Sequence, residues 1–344
     1  MASIQKSLIN DPFSYRTTAD KVMKHINLHG KNVIVTGGYS GIGLKVVTKL
    51  SKAGAHVIVP ARSVQKAEKV LHRLSNIDVY QLDLMDSNSI ENFGNKINQN
   101  KIAIDLLICN AGIMFAPLRR DSRGNESQLS TNYLGHFELV SVLYSALKLS
   151  KNARVILVTS RSQSWNGIDF NDPNFETKKY DSRMAYAQSK VADILFAVEL
   201  DKKAKKDHIR AFAVHPGLVP GTNLGRFMVH DNHVLSNLYS LILNRFGASR
   251  LFSWKNKIMS LMHENKEYDY IKNVNQGAAS ILWAATSHLL DGMGGVFIED
   301  CNVGISVPSD SKSKFGVRPW SVDSVLAQRL WFLGEKLSRI IFEP

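Results

Sequence analysis

Short apolar runs rich in β-branched residues alternate along this chain with longer stretches of helical periodicity, and that alternation admits few folds. The strand candidates are Asn32 to Thr36, His56 to Val59, Val79 to Leu82, Leu106 to Cys109, Arg154 to Thr159, Ala211 to Val214 and Val296 to Ile298. Helical patterns fall between them, at Gly41 to Lys52, Val64 to Leu74, Ser87 to Ile97, Leu129 to Lys148, Arg183 to Ala204 and Gly277 to Thr286. The expectation is an α/β protein with one doubly wound domain, a parallel seven-stranded sheet with helices on both faces. No internal repeat, low-complexity tract or Pro/Gly/Ser-rich linker divides the chain. Two regions stand outside the alternation. One is an N-terminal arm, 1–30, before the domain at 31–344; the other is a basic amphipathic segment, 227–271, carrying Leu235, Leu238, Leu241, Trp254 and Ile258 among Arg245, Arg250, Lys255 and Lys257.

A chain of 344 residues, 44% hydrophobic and 21% charged, excludes wholesale disorder and can bury a large core without staples. Only Cys109 and Cys301 occur, so no disulfide framework is expected and a reducing compartment such as the cytoplasm is the natural setting. Residues 1–20 carry Asp11, Arg16 and Asp20 without a long apolar run, and read as neither a signal peptide nor a spanning helix. The net charge of +13 suits nucleic acid, anionic lipid or a phosphorylated ligand equally.

The motifs narrow that choice. Thr36-Gly37-Gly38-Tyr39-Ser40-Gly41-Ile42-Gly43 follows the first strand and opens a helix. Glycines there permit unusual backbone angles and let a pyrophosphate approach the helix N-terminus, whose free N–H groups and dipole favour anions. Tyr186 and Lys190 sit four residues apart in a helical pattern, on one face. A neighbouring ammonium favours the phenolate and should lower the tyrosine pKa, as a proton donor near neutral pH requires. Alone, that pair is commonly a solvated helix face. Ser160 ends the fifth strand, at the carboxyl edge of the sheet, where doubly wound folds bind ligands.

With these motifs in order, joined by Asp83, Asn110-Ala111-Gly112, Asn132 and Pro216-Gly217, the chain resembles the short-chain dehydrogenase/reductase family over nearly its whole length. Asn132-Tyr133-Leu134-Gly135-His136-Phe137 and His215-Pro216-Gly217 are most similar to the branch of retinol dehydrogenases, WW-domain oxidoreductases and protochlorophyllide reductases. The resemblance implies a Rossmann domain in which Tyr186 is the general acid/base. It implies that Lys190 binds the nicotinamide ribose, Ser160 polarises the substrate carbonyl, and Asn132 holds a proton-relaying water. It also implies cofactor contacts from Thr36, Gly37, Tyr39, Ser40, Gly41, Ile42 and Gly43, and from Arg62, Asp83 and Leu84. Further contacts would come from Asn110, Ala111 and Gly112, from Tyr186 and Lys190, and from Pro216, Gly217 and Thr222. Pro220-Gly221 displaces the hydroxyl of that last loop by one residue from the commoner family spacing.

The second strand runs into Val59-Pro60-Ala61-Arg62, with no carboxylate to accept a ribose 2′-OH and an Arg able to grip a 2′-phosphate, so NADP is favoured over NAD. Trp165, Phe170, Phe175 and the segment 227–271 are candidate walls for a small hydrophobic carbonyl or alcohol substrate, although ordinary core explains such aromatics equally well. The family also admits reduction of an activated C=C bond, and a dinucleotide-binding regulator without turnover is the rival from another class. Segment 227–271 reads as a membrane-docking surface, a substrate lid or a homo-oligomer contact. No nucleic-acid motif is present. His208, His215, His230 and His233 lack a metal-ligand spacing, so no metal is expected.

Overall fold

Valine, isoleucine and leucine at successive positions give the central strands two apolar faces, and the chain covers both. The computed structural model describes residues 5–8, 12–227 and 270–344. Within them the strands are β1 (Asn32–Val35), β2 (His56–Ala61), β3 (Ile77–Gln81), β4 (Leu106–Cys109), β5 (Ala153–Val158), β6 (Ile209–His215), β7 (Val296–Glu299) and β8 (Asn302–Val303). They form one sheet in the order β3-β2-β1-β4-β5-β6-β7-β8. Strands β1 to β7 pair in parallel and match the seven expected. The eighth pairs antiparallel with β7 across Asp300 and Cys301, whose positive φ values of 52° and 59° reverse the chain. Two residues are too short a run to show a pattern.

Ile34, Leu107, Val155, Leu157 and Ala213 face one core with the helices Ser87–Gln99, Gly135–Val142, Ser182–Ala204 and Ser324–Ser338. Val33, Val35, Ile108, Ile156 and Val214 face the other, with Gly41–Lys52, Val64–Leu71 and Val274–Thr286. The direction of strand succession reverses between β1 and β4, which opens a crevice at their carboxyl ends.

Three elements depart from the expectation. The helical pattern Leu129 to Lys148 is broken into Ser127–Leu129, a π-turn Ser130–Leu134, Gly135–Val142 and Tyr144–Lys148. Gly135 permits this path, because a Cβ there would lie 2.2 Å from the Leu84 carbonyl oxygen. The Val274–Thr286 helix starts earlier than expected, fixed by a reciprocal capping box between Asn273 and Gln276. Beyond the last expected strand, Ser324–Ser338 lays Trp331 against Phe137 (5.1 Å between ring centres), Phe196 (5.8 Å) and Phe342 (4.8 Å), sealing the outer face of the Ser182–Ala204 helix.

The described part of the N-terminal arm is stitched to the domain. Ala19 and Val22 join a core cluster, the Gln5 side chain bonds the Phe297 N–H and Gly295 carbonyl, and the Leu8 N–H donates to Asn302. Apart from Phe227 and residues 270–271, the amphipathic segment 227–271 lies outside the described residues, as do His230, His233 and Trp254. Among the described residues, no helix is long and apolar enough to cross a membrane.

Candidate active site

The crevice between β1 and β4 is locked by side chains on either side. Thr36 Oγ1 accepts from the backbone N–H groups of Asn110 and Ala111, both at 2.9 Å, and is 3.0 Å from His136 Nε2. The Asn110 amide donates back to the carbonyls of Thr36 (3.0 Å) and Gly37 (3.5 Å), so its side chain braces the glycine-rich turn. Gly37 has φ +65° and lies so close to Ala111 that a Cβ would sit 3.1 Å from its Cα; at Gly43 a Cβ would meet the Gly37 oxygen at 2.4 Å. Ser40 begins the following helix without its side chain capping any N–H, and no acidic residue occupies the first turn. That terminus therefore offers backbone donors and a positive dipole end. Tyr39 and Ser40 are partly exposed beside it, and Ile42 packs towards Gly277.

Along the rim, Arg62 is exposed one residue beyond β2, its carbonyl accepting from the Gln81 side chain (3.1 Å). Asp83 follows β3 by two residues, with its N–H donating to Ser89 Oγ and its Oδ1 accepting from the Met85 N–H. Leu84 is a core residue whose carbonyl oxygen packs against Gly135. The turn after β6 is equally constrained: Gly217 has φ +90°, a Cβ there would lie 2.6 Å from Lys272 Cδ, and the Lys272 N–H donates to the Leu218 carbonyl (2.8 Å). Thr222 comes to lie beside Gly41, 3.4 Å from where a Cβ would project. The displaced hydroxyl-bearing residue thus still reaches the glycine-rich turn.

At the centre, the Ser182–Ala204 helix starts on an Asp181 cap and carries Tyr186, Ser189 and Lys190 towards β5. Tyr186, Lys190 and Asn132 are all buried, and the Ser160 hydroxyl, which accepts from the Ser162 N–H (3.2 Å), neighbours the Tyr186 phenol. Lys190 Nζ donates to the Val158 carbonyl (2.9 Å) and to Asp193 Oδ2 (2.8 Å), and lies 5.9 Å from the Tyr186 ring centre. The side chain of Asn132 makes three hydrogen bonds: Oδ1 accepts from the Ile113 N–H, and the amide donates to the Ile113 carbonyl and Ser189 Oγ. It ties the loop after β4 to the Tyr186 helix.

The expected depression of the Tyr186 pKa is reversed. Burial raises the phenol, outweighing the Lys190 ammonium and the neighbouring Ser160 hydroxyl that lower it, and Asp193 adds to the rise. Spacing placed the lysine correctly but could not show the phenol enclosed or the lysine shared with a carboxylate.

Of the candidate wall residues, Trp165 reaches this centre. It stacks on Phe115 (6.3 Å), which meets Tyr186 edge-on (5.4 Å). Phe170 instead packs under the Arg329 guanidinium, and Phe175 against Tyr180. Phe115 was not legible as a site residue, because its ring is aimed by a left-handed backbone (φ 55°) whose N–H donates to the buried Gln128. His136 was also missed as a site residue; it joins Thr36 to the Asn132 carbonyl (2.8 Å), and burial holds it neutral with its pKa pushed down to about 4. Cys301 is buried beside Ser280 in the core, and no group of His, Cys, Asp and Glu among the described residues could hold a metal.

The short chain dehydrogenase family matches residues 31–232. Over 315 residues the chain is 34% identical to a "probable oxidoreductase" of Streptomyces lividans, covering 90% of this chain and 98% of the relative. It is 31% identical to human retinol dehydrogenase 12, covering 89% of each. Among solved structures it is similar to an uncharacterized protein from Mycobacterium paratuberculosis, with TM-score 0.66, 26% identity and coverage of 93% of this chain and 98% of that one.

Proposed function

Because the chain belongs to the short chain dehydrogenase family, and is thereby an NAD(P)-dependent oxidoreductase, we propose that it interconverts a hydrophobic carbonyl and its alcohol with NADP(H) as partner. The observation that carries this reading is the buried Tyr186 phenol, neighbouring Ser160, adjoining Lys190 and lying beneath the Phe115–Trp165 wall.

The residues fit a dinucleotide. Gly37 and Gly43 leave no room for a side chain where the turn meets the helix, and the uncapped helix start supplies N–H donors to a pyrophosphate. Asp83, the Leu84 backbone and Asn110 to Gly112 border the adenosine and ribose path, and Pro216 to Thr222 borders the nicotinamide end. Bound there, the nicotinamide ring supplies or accepts the hydride.

The chain's own groups handle the proton. Ser160 orients the substrate oxygen by hydrogen bonding, and Tyr186 gives that oxygen its proton in reduction or takes one in oxidation. Lys190 favours the phenolate that reduction leaves behind. Reprotonation runs past Lys190; since both Asn132 amide N–H groups are taken, a relay water there would donate to Asn132, whose backbone carbonyl accepts from His136 and has a second lone pair. The wall of Phe115 and Trp165 favours apolar substrates, because a polar group against it would lose its hydration unpaired.

Arg62, exposed at the end of β2 with no neighbouring carboxylate on that turn, favours the 2′-phosphate of NADP. The test is oxidation of NADPH and NADH with apolar aldehydes and ketones, in wild type and Arg62→Asp. NADPH preferred by wild type, with the preference lost or inverted in the variant, supports the assignment. Equal use of both cofactors by wild type contradicts it.

A further inference from the structure

We propose that Asp193 is a positioning residue of this site: it holds the Lys190 ammonium against the sheet and partly neutralises the charge that Tyr186 feels. The inference rests on the reading of Tyr186 as the acid/base group. Asp193 lies one helical turn beyond Lys190 and is 2% exposed. Its Oδ2 takes the ammonium at 2.8 Å, while Oδ1 is buried without a hydrogen-bond partner among the described residues.

Three arguments support the role. A buried ion pair is a poor stabilising device, since apolar residues of the same volume commonly serve as well or better, so this one points to a task other than folding. Its position is specific: with the Val158 carbonyl it occupies two of the three N–H bonds of Lys190, leaving one for a ligand oxygen. Its charge is also felt by every titratable group the structure shows to respond to it. These are Lys190 and Tyr186 on its own helix, Cys109 from β4, and Tyr133 from the π-turn. Burial holds the Asp193 carboxyl up to about 6, with Lys190 pulling it back, so near neutral pH it is ionised.

An ammonium shared with a carboxylate lowers the pKa of a neighbouring phenol less than a lone ammonium does. Asp193 therefore keeps Tyr186 protonated to higher pH, the form needed to donate a proton to a carbonyl.

The experiment is a titration of tyrosinate ultraviolet absorbance, with Tyr186→Phe subtracted to isolate the Tyr186 phenol, in otherwise wild-type, Asp193→Asn and Asp193→Glu proteins. Asp193→Asn is expected to lower the Tyr186 midpoint by roughly one pH unit, the scale of a lost nearby charge. Asp193→Glu, which keeps the charge, should restore it. The pH profile of carbonyl reduction should shift to acid by the same amount; thermal stability should fall in Asp193→Asn, which leaves the Lys190 ammonium buried without its carboxylate, and recover in Asp193→Glu. An unchanged midpoint in Asp193→Asn overturns the proposal. Should that variant not fold, Asp193→Ser takes its place, with the same fall in the Tyr186 midpoint expected and an unchanged midpoint overturning the proposal. Because the titration needs no turnover, failure to find a substrate would count against the proposed reaction and leave the Asp193 result standing.

Discussion

Replacing Gly43 by alanine tests the cradle at its tightest point. Gly43 lies in the helix Gly41–Lys52 without a positive φ, so alanine can adopt its backbone and should gain up to about 1 kcal/mol of helix propensity. Against that, the new Cβ would sit 2.4 Å from the Gly37 carbonyl oxygen and 2.5 Å from the Asn110 side-chain nitrogen, whereas ordinary contact begins near 3.4 Å. Both groups must therefore give way, each by about 1 Å. Overpacking of this kind costs about 1–3 kcal/mol, which offsets or exceeds the propensity gain. Stability should change little or fall modestly. Dinucleotide affinity should fall at least tenfold, or about 1.4 kcal/mol, because the displaced groups are the turn itself. Fluorescence titration with NADPH beside thermal unfolding separates the two effects. Gly167→Ala is the control, since a Cβ there finds only Trp320 at 3.7 Å. Wild-type affinity in Gly43→Ala, with a folded protein, would refute the placement of the pyrophosphate.

Three further predictions follow from the packing. Phe115→Ala removes half of the aromatic wall and should raise KM for bulky apolar carbonyls about tenfold, in line with about 1.4 kcal/mol of lost apolar contact, while sparing small substrates; equal effects on both would contradict a specificity role. Trp331→Ala opens a cavity among Phe137, Phe196 and Phe342 and should cost about 3–5 kcal/mol in denaturant unfolding, and a cost below 1 kcal/mol would show the C-terminal helix to be peripheral. His136, whose pKa burial depresses from 6.5 to about 4, stays neutral in the folded chain while the unfolded chain takes up a proton, so its contribution is lost as pH falls from about 6.5 to about 4. That loss is on the order of 3 kcal/mol, and His136→Gln should lose less stability than wild type over this window in urea titrations at several pH values.

What the sequence made legible was whatever depends on local period and local chemistry. Alternation located β1 to β7, and the glycines of Thr36 to Gly43 announced a turn that only a close approach requires. The four-residue spacing of Tyr186 and Lys190 put both on one helix face. What stayed hidden depends on enclosure and on partners distant in the chain. Asp193 is an ordinary helical acid until the fold buries it with Lys190. The ring of Phe115 is aimed by a left-handed backbone that Gln128 holds from thirteen residues further along. Phe170 and Phe175 follow Ser160 just as Trp165 does, yet pack under Arg329 and against Tyr180 instead. The two-residue β8 has no period to read, and the Asp300–Cys301 reversal that creates it uses residues that rarely take positive φ.

The central claim is that the buried Tyr186 phenol is the proton-transfer group of a carbonyl reductase. The most direct measurement is NADPH oxidation with a panel of apolar aldehydes and ketones by wild type and Tyr186→Phe, with NADPH binding to each measured alongside. The account predicts turnover by wild type, binding by both, and a rate in the variant lower by a factor of about 100 or more. Comparable turnover by a folded Tyr186→Phe protein would contradict it.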